Sequence, residues 1–106
     1  MNLIFEEIKK IVSNNVNEKR IWNCYCYGSR VYKTNNNNSD YDILIAASMQ
    51  NDHIEIKDEK YNIHIYTINK FKDDLFNYKI LNLECIYAPN EYILLEKIKF
   101  DNFKIN

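Results

Sequence analysis

Residues 39–47 read Ser-Asp-Tyr-Asp-Ile-Leu-Ile-Ala-Ala, and this stretch decides the fold. The run from Tyr41 to Ala47 is apolar enough to predict a strand in the middle of a sheet. Asp40 and Asp42 stand two residues apart at the head of that strand. Because side chains alternate along a strand, we expect both carboxylates on one face and Tyr41 on the other. Two carboxylates that close repel each other unless a cation lies between them, so the pair predicts a metal site.

A second stretch, Ile-Trp-Asn-Cys-Tyr-Cys-Tyr-Gly at residues 21–28, predicts a core strand that ends at the only glycine of the chain. Average usage of about 7% would give several glycines, so a single one at this place indicates positive φ or a ligand close to the backbone. A short helix is predicted from Ser29 to Tyr32. A helix that begins directly after a strand presents N–H groups to an anion, and Arg30 can bind a phosphate through two hydrogen bonds. The sequence therefore predicts a phosphate site at residues 28–30.

The remaining elements predict one α+β domain over residues 1–106, with a mixed β-sheet of about four to five strands flanked by helices. A first helix is predicted over residues 2–14, strands over 53–57 and 61–68 that form a hairpin, a helix from the cap Asn69 to about Leu81, and a short strand over 83–87. Residues 91–103 fit either a helix or a strand.

Composition narrows the class of protein. The 106 residues carry 14 basic and 15 acidic side chains, a net charge of −1, which gives no reason to expect unspecific binding to nucleic acid. No apolar run approaches the ~20 residues of a membrane span, so no membrane association is expected. Three cysteines without a scaffold-like spacing indicate reduced thiols and a cytoplasmic protein.

The two motifs together resemble a known signature. Residues 27–32, a polar loop, and residues 39–45 are similar to the pattern of the DNA polymerase β-like nucleotidyltransferase superfamily, in particular its small single-domain members and short viral and phage forms. That pattern begins with a hydrophobic residue, a glycine, and a third position that is either glycine or serine. After a gap it continues with an aspartate, a hydrophobic residue and a second acidic residue. The fold implied is the polymerase β-like nucleotidyltransferase core.

The resemblance implies transfer of a nucleoside monophosphate from an NTP to a hydroxyl of RNA, a protein or a small molecule. It also implies two bound ions of Mg²⁺ or Mn²⁺. By position, Asp40 and Asp42 would hold the metal. The residues expected to bind the nucleotide and its phosphates are Gly28, Ser29, Arg30 and Ser39.

This sequence departs from the family at the third carboxylate, which members place on a neighbouring strand. Asn62 occupies that position, and an amide can ligate a metal but is a poor general base. His64 lies one pleat further and could take the proton, since its ordinary pKa is near 6.5. It could equally just complete a polar strand face. Glu55 could supply the missing carboxylate, depending on the hairpin register, whereas His53 is expected to be exposed without a partner.

Two functions therefore stay open. One is an active nucleotidyltransferase, and the other is a catalytically weak or inactive nucleotide-binding, antitoxin-like module that acts with a partner protein. Larger members carry a helical domain that grips the base or acceptor. The sequence has no residues for one, so we expect a homodimer or a helical partner protein to close the cleft.

Overall fold

The computed structural model describes residues 2–27, 41–77 and 79–100 of the chain. Its helices are α1 (Asn2–Val12), α2 (Ile68–Phe76) and α3 (Ile80–Ile86). Its strands are β1 (Ile21–Tyr27), β2 (Tyr41–Ala47), β3 (His53–Lys57), β4 (Tyr61–Thr67) and β5 (Ile93–Glu96). Single 3₁₀ turns at Glu18–Arg20 and Asn90–Tyr92 lead into β1 and β5.

The five strands form one mixed sheet in the order β3-β4-β2-β1-β5. The β2 and β4 strands are parallel, and every other neighbouring pair is antiparallel. The predicted α+β class with a mixed sheet of four to five strands is therefore confirmed. The prediction that Tyr41–Ala47 is the central strand is also confirmed, since β2 has two strands on either side.

Two cores pack on opposite faces of the sheet, as the alternation along β2 requires. In the first core, Ile43 and Ile45 pack with Ile8 and Val12 of α1. In the second core, the residues that pack from β1, β2, α2, α3 and the segment after β5 are Tyr25, Leu44, Ala46, Phe71, Leu75, Cys85, Ile86 and Phe100. Asp42 is two residues before Leu44, so its side chain lies on the face of the second core.

The hairpin of β3 and β4 has the predicted pairing of isoleucines. Ile54 pairs with Ile65 and Ile56 pairs with Ile63, which puts these side chains on the face of the first core. His53, Glu55 and Lys57 alternate with them and are exposed on the other face. The register of this hairpin therefore decides which polar side chains stand beside Asn62 and His64.

Three predictions about the C-terminal half are wrong, the first being a single helix to about Leu81, since α2 ends at Phe76 and α3 begins at Ile80. Thr67, and not Asn69, caps α2, because the Thr67 hydroxyl accepts the backbone N–H of Lys70 at 3.1 Å. Residues 83–87 do not form a strand, since α3 occupies Ile80–Ile86. A short apolar run cannot distinguish a strand from a buried helix by its periodicity alone. The ambiguous segment 91–103 contains the strand β5.

The segment after β5 is held to the sheet by a buried side chain. Asn23 is fully buried, and its Nδ2 donates to the carbonyl of Ile98 at 2.9 Å and to the hydroxyl of Tyr25 at 2.7 Å. The Ile98 N–H in turn donates to Asn23 Oδ1 at 3.0 Å. These bonds use both the NH₂ group and the carbonyl oxygen of the Asn23 side chain, which is why this polar side chain can be buried. They also keep Phe100 packed in the second core.

Candidate active site

Four polar side chains form a line across the sheet at the head of β2. Tyr27 of β1 pairs with Asp42 of β2, Asp42 pairs with Asn62 of β4, and Asn62 pairs with Lys57 of β3. Residues opposite each other in a sheet point to the same face. We call these four residues the polar row. It lies on the face of the second core, beyond the apolar side chain of Leu44.

Asp42 and Asn62 are in contact in the middle of the polar row. The Asn62 Nδ2 group donates to Asp42 Oδ1 at 3.5 Å, which is a long and weak hydrogen bond. The other amide atom, Asn62 Oδ1, is buried and has no hydrogen-bond partner among residues 2–27, 41–77 and 79–100. An unpaired buried acceptor costs free energy unless a donor or a cation satisfies it. Carboxylate and amide carbonyl oxygens are the ligands that Mg²⁺ prefers, so these two side chains fit such an ion when the Asn62 amide turns its oxygen toward Asp42.

Tyr27 closes the β1 end of the polar row. Its side chain is half-buried, and burial raises the pKa of its phenol, with the Asp42 carboxylate adding to the effect. The phenol therefore stays neutral at physiological pH and keeps its O–H donor. The structure places Tyr27 partly in the second core and beside the carboxylate of Asp42.

A second group of polar side chains lies one pleat along the same face. His64 pairs with Glu55 across the hairpin, and His64 Nε2 lies 3.4 Å from Glu55 Oε2. His64 Nδ1 lies 2.9 Å from Nε2 of His53, a hydrogen-bond distance in which one imidazole donates and the other accepts. His64 is therefore held from both sides. Its Nε2 is the less constrained nitrogen, because 3.4 Å exceeds an ordinary hydrogen bond.

His53 is exposed, as predicted, but the prediction that it has no partner is wrong. Its ring stacks on His64, with centroids 5.1 Å apart, and on Tyr66, with centroids 4.5 Å apart, both at interplanar angles of 9°. The reason is register, because His53 pairs directly with Tyr66 on β4. The three parallel rings fix the orientation of His64. The signal was present in the sequence, since pairing the isoleucines of the hairpin also sets His53 opposite Tyr66.

The described residues include only some of the predicted site residues. Asp42, Asn62, His64 and Glu55 lie on one face of neighbouring strands, within two pleats of one another. The other predicted residues, Gly28, Ser29, Arg30, Ser39 and Asp40, lie outside the described residues, as does the predicted short helix of residues 29–32. Within residues 2–27, 41–77 and 79–100, no three His, Cys, Asp or Glu side chains form a group that would hold a metal. A metal bound at Asp42 and Asn62 would thus need a further ligand, and Asp40 is the residue predicted for that role.

A comparison of the chain with known protein families identifies the family to which this site belongs. The sequence profile of the family described as "Polymerase beta, Nucleotidyltransferase" matches residues 6–92, which is most of the 106-residue chain. The chain belongs to the polymerase beta nucleotidyltransferase family. The matched region contains every strand that contributes to the polar row. No curated protein gives a significant match to the chain.

Membership of the nucleotidyltransferase family agrees with the fold. The mixed sheet and the helices of the described residues form the α+β arrangement that the resemblance implied. The matched region also covers both motifs at residues 27–32 and 39–45. None of the helices in the described parts of the chain is long and apolar enough to cross a membrane.

Proposed function

We propose that this nucleotidyltransferase-family protein moves a nucleoside monophosphate from an NTP to an acceptor in a metal-dependent reaction. The acceptor would carry its hydroxyl on RNA, a protein or a small molecule. The observation that carries the proposal is the contact between Asn62 Nδ2 and Asp42 Oδ1, together with the buried Asn62 Oδ1, which has no hydrogen-bond partner among the described residues. That arrangement leaves one carboxylate and one carbonyl oxygen available to a cation at the centre of the polar row.

The proposed roles follow the order of the strands. Asp40 and Asp42, with Asn62, would hold one or two ions of Mg²⁺ or Mn²⁺, which neutralise the triphosphate and polarise the attacking oxygen when bound. The N–H groups that follow β1 would bind the triphosphate. The residues proposed to contact the nucleotide are Gly28, Ser29, Arg30 and Ser39. Tyr27, next to Gly28 in the chain, would present a neutral phenol to the same region.

His64 is the side chain proposed to take the proton of the acceptor hydroxyl. Its Nδ1 would carry a proton donated to His53 Nε2, at 2.9 Å, which leaves the lone pair on Nε2 to take the proton of the hydroxyl. The Glu55 carboxylate lies 3.4 Å from Nε2 and would then pair with the charged ring. Strand spacing and rise put the Cα atoms of His64 and Asp42 about 8 Å apart. An acceptor bound over Asn62 would lie between them. Orientation by a second group is how a general base is normally held in place.

Asn62 also supports a second candidate function. It stands in register with Asp42 at the place where an acid would be expected, so the chemical step could be slow or absent. The protein would then be a nucleotide-binding, antitoxin-like module that acts with a partner. A second copy of the chain or a helical protein would cover the site. Ile80 on α3, whose side chain is 76% exposed, gives such a partner an apolar contact.

The test is transfer of label from an α-labelled NTP in the presence of Mg²⁺ or Mn²⁺. We expect Asp42→Asn to lower transfer at least a hundredfold, because it removes a metal ligand from the centre of the polar row. Asp73→Asn is the matched control, since it removes one exposed carboxylate on α2, away from the site. Undiminished transfer by Asp42→Asn would refute the site. Nucleotide binding without transfer by the unmodified protein would instead favour the binding module.

A further inference from the structure

The two ends of the polar row differ in chemistry. Tyr27 at one end leads directly into Gly28 and the predicted phosphate site. Lys57 at the other end lies on β3, the edge strand of the sheet, with its side chain exposed on the same face. Neighbouring strands are about 4.8 Å apart, which puts the Lys57 Cα about 5 Å from Asn62 and about 10 Å from Asp42. The long, flexible lysine stem lets the ammonium reach back over Asn62.

The ammonium of Lys57 is not neutralised by its neighbours. Within the described ranges it forms no ion pair, although Glu55 and Asp58 are close along the chain. Its cross-strand partner, Asn62, is an uncharged amide. A carboxylate at position 62 would lie opposite Lys57, pair with it, and repel any anion that approached. The amide therefore leaves a positive charge available at the end of the row that is remote from Gly28.

We infer that Lys57 binds a phosphate group of the substrate and that this phosphate belongs to the acceptor. The inference rests on the proposed function, and it narrows the acceptor to molecules that carry a phosphate close to the attacking oxygen. The NTP phosphates are the other source of the same chemistry. They are expected at the Gly28 end, three strands away from Lys57, so the geometry favours the acceptor.

A purely structural role for Lys57 makes a different prediction. Lysines on edge strands discourage pairing with a second sheet, so removing such a lysine promotes association of the protein. It would not change the affinity for a small anion in a monomeric sample. Size-exclusion chromatography of each variant therefore accompanies the binding measurements. The charge of Lys57 is exposed, so its substitution is not expected to prevent folding.

The experiment has two arms, and each compares the unmodified chain with the variants Lys57→Gln, Lys57→Arg and Lys72→Gln. Lys72→Gln is the control, because it removes an exposed lysine on α2. In the first arm, Mg²⁺ and a non-hydrolysable ATP analogue are titrated by calorimetry. In the second arm, inorganic phosphate is titrated into the protein already saturated with that analogue, and amide chemical shifts of β3 and β4 are followed by NMR. We expect Lys57→Gln to leave the first affinity unchanged and to weaken phosphate binding about threefold to tenfold. Lys57→Arg and Lys72→Gln should bind phosphate as the unmodified chain does.

Every other result overturns the inference in a recognisable way. If Lys57→Gln weakens the ATP analogue and not phosphate, Lys57 binds the donor and the acceptor assignment is wrong. If neither affinity changes, or if the unmodified loaded protein shows no phosphate-dependent shifts, Lys57 is not a phosphate ligand and the proposed function is untouched. If the unmodified chain does not bind the ATP analogue at all, the proposed function fails, and the inference fails with it.

Discussion

Substitution of Asn62 by aspartate replaces an uncharged amide with a carboxylate at the centre of the polar row. Asn62 Nδ2 now lies 3.5 Å from Asp42 Oδ1, and the variant would put a carboxylate oxygen in its place. The weak hydrogen bond would become a repulsion between two negative charges. At the same time the variant would supply the carboxylate that the family places on this strand. The structure therefore predicts opposite effects of Asn62→Asp with and without a divalent metal.

The size of the repulsion follows from the distance. Two unit charges 3.5 Å apart repel by about 5 kcal/mol at an effective dielectric constant of about 20. Both side chains are only half-buried and can rotate apart, so solvent reduces the net loss of folding free energy to about 1–3 kcal/mol. For a domain of this size that loss lowers Tm by about 5–20 °C. A bound Mg²⁺ ion would cancel most of it, because both carboxylates would then be ligands.

The assay is thermal unfolding with EDTA and with millimolar Mg²⁺. We expect Asn62→Asp to lose stability in EDTA and to regain it in Mg²⁺, where both carboxylates bind the ion. Asn51→Asp is the control, since it adds the same charge on an exposed loop and should show neither effect. The double variant Asp42→Asn/Asn62→Asp should lose the instability in EDTA, because one carboxylate remains. Equal Tm values for Asn62→Asp in EDTA and in Mg²⁺ would refute the reasoning.

Two further predictions concern the stability of the fold. Asn23→Ala should lower the free energy of unfolding by about 2–4 kcal/mol in urea titrations, because it leaves the Ile98 N–H and carbonyl without their partner. A loss below about 1 kcal/mol would show that other contacts hold the segment after β5. Burial raises the pKa of Tyr25 and of Tyr61, and Glu7 raises the pKa of Tyr61 further. The unfolded chain therefore loses these phenol protons at a lower pH than the folded chain does. The stabilising contribution of these two phenols is fully present well below pH 10 and is lost as the pH rises through 10, and burial of Cys24 and Cys85 acts in the same direction from about pH 9. The urea midpoint should therefore be lower at pH 10.5 than at pH 8, and a midpoint that does not fall would contradict this assignment.

The strands were predictable from sequence because their patterns are strong. The alternating isoleucines of the hairpin match the period of a strand, and residues 43–47 are apolar on both faces, as a central strand requires. The C-terminal half was less predictable because its signals are local and short. Residues 83–87 are apolar in either state, and they are helical because α3 places Asn82, Cys85 and Ile86 together on its buried side. Asn69 and Thr67 are both good caps, and the end of β4 at Thr67 decides between them.

The site was predictable only as far as its motifs reach. The neighbourhood of Asp42 and Asn62 follows from the family pattern, and the parallel register of β2 and β4 agrees with it. The partners of His64 depend on hairpin register and on ring stacking, which no single residue signals. Lys57 was missed because an exposed lysine has no distinctive pattern. The proposed role of Lys57 depends on its neutral cross-strand neighbour, Asn62, and that pairing is known only from the structure.

The central claim is that the oxygens of Asp42 and Asn62 hold the metal that the nucleotide shares. The most direct measurement is a crystal structure of the chain with Mg²⁺ and a non-hydrolysable NTP. We predict an ion bound by the Asp42 carboxylate and Asn62 Oδ1, with the triphosphate at residues 28–30 and Asp40 completing the ligands. An ion or nucleotide bound away from the polar row, with the Asn62 amide still donating to Asp42, would contradict the account.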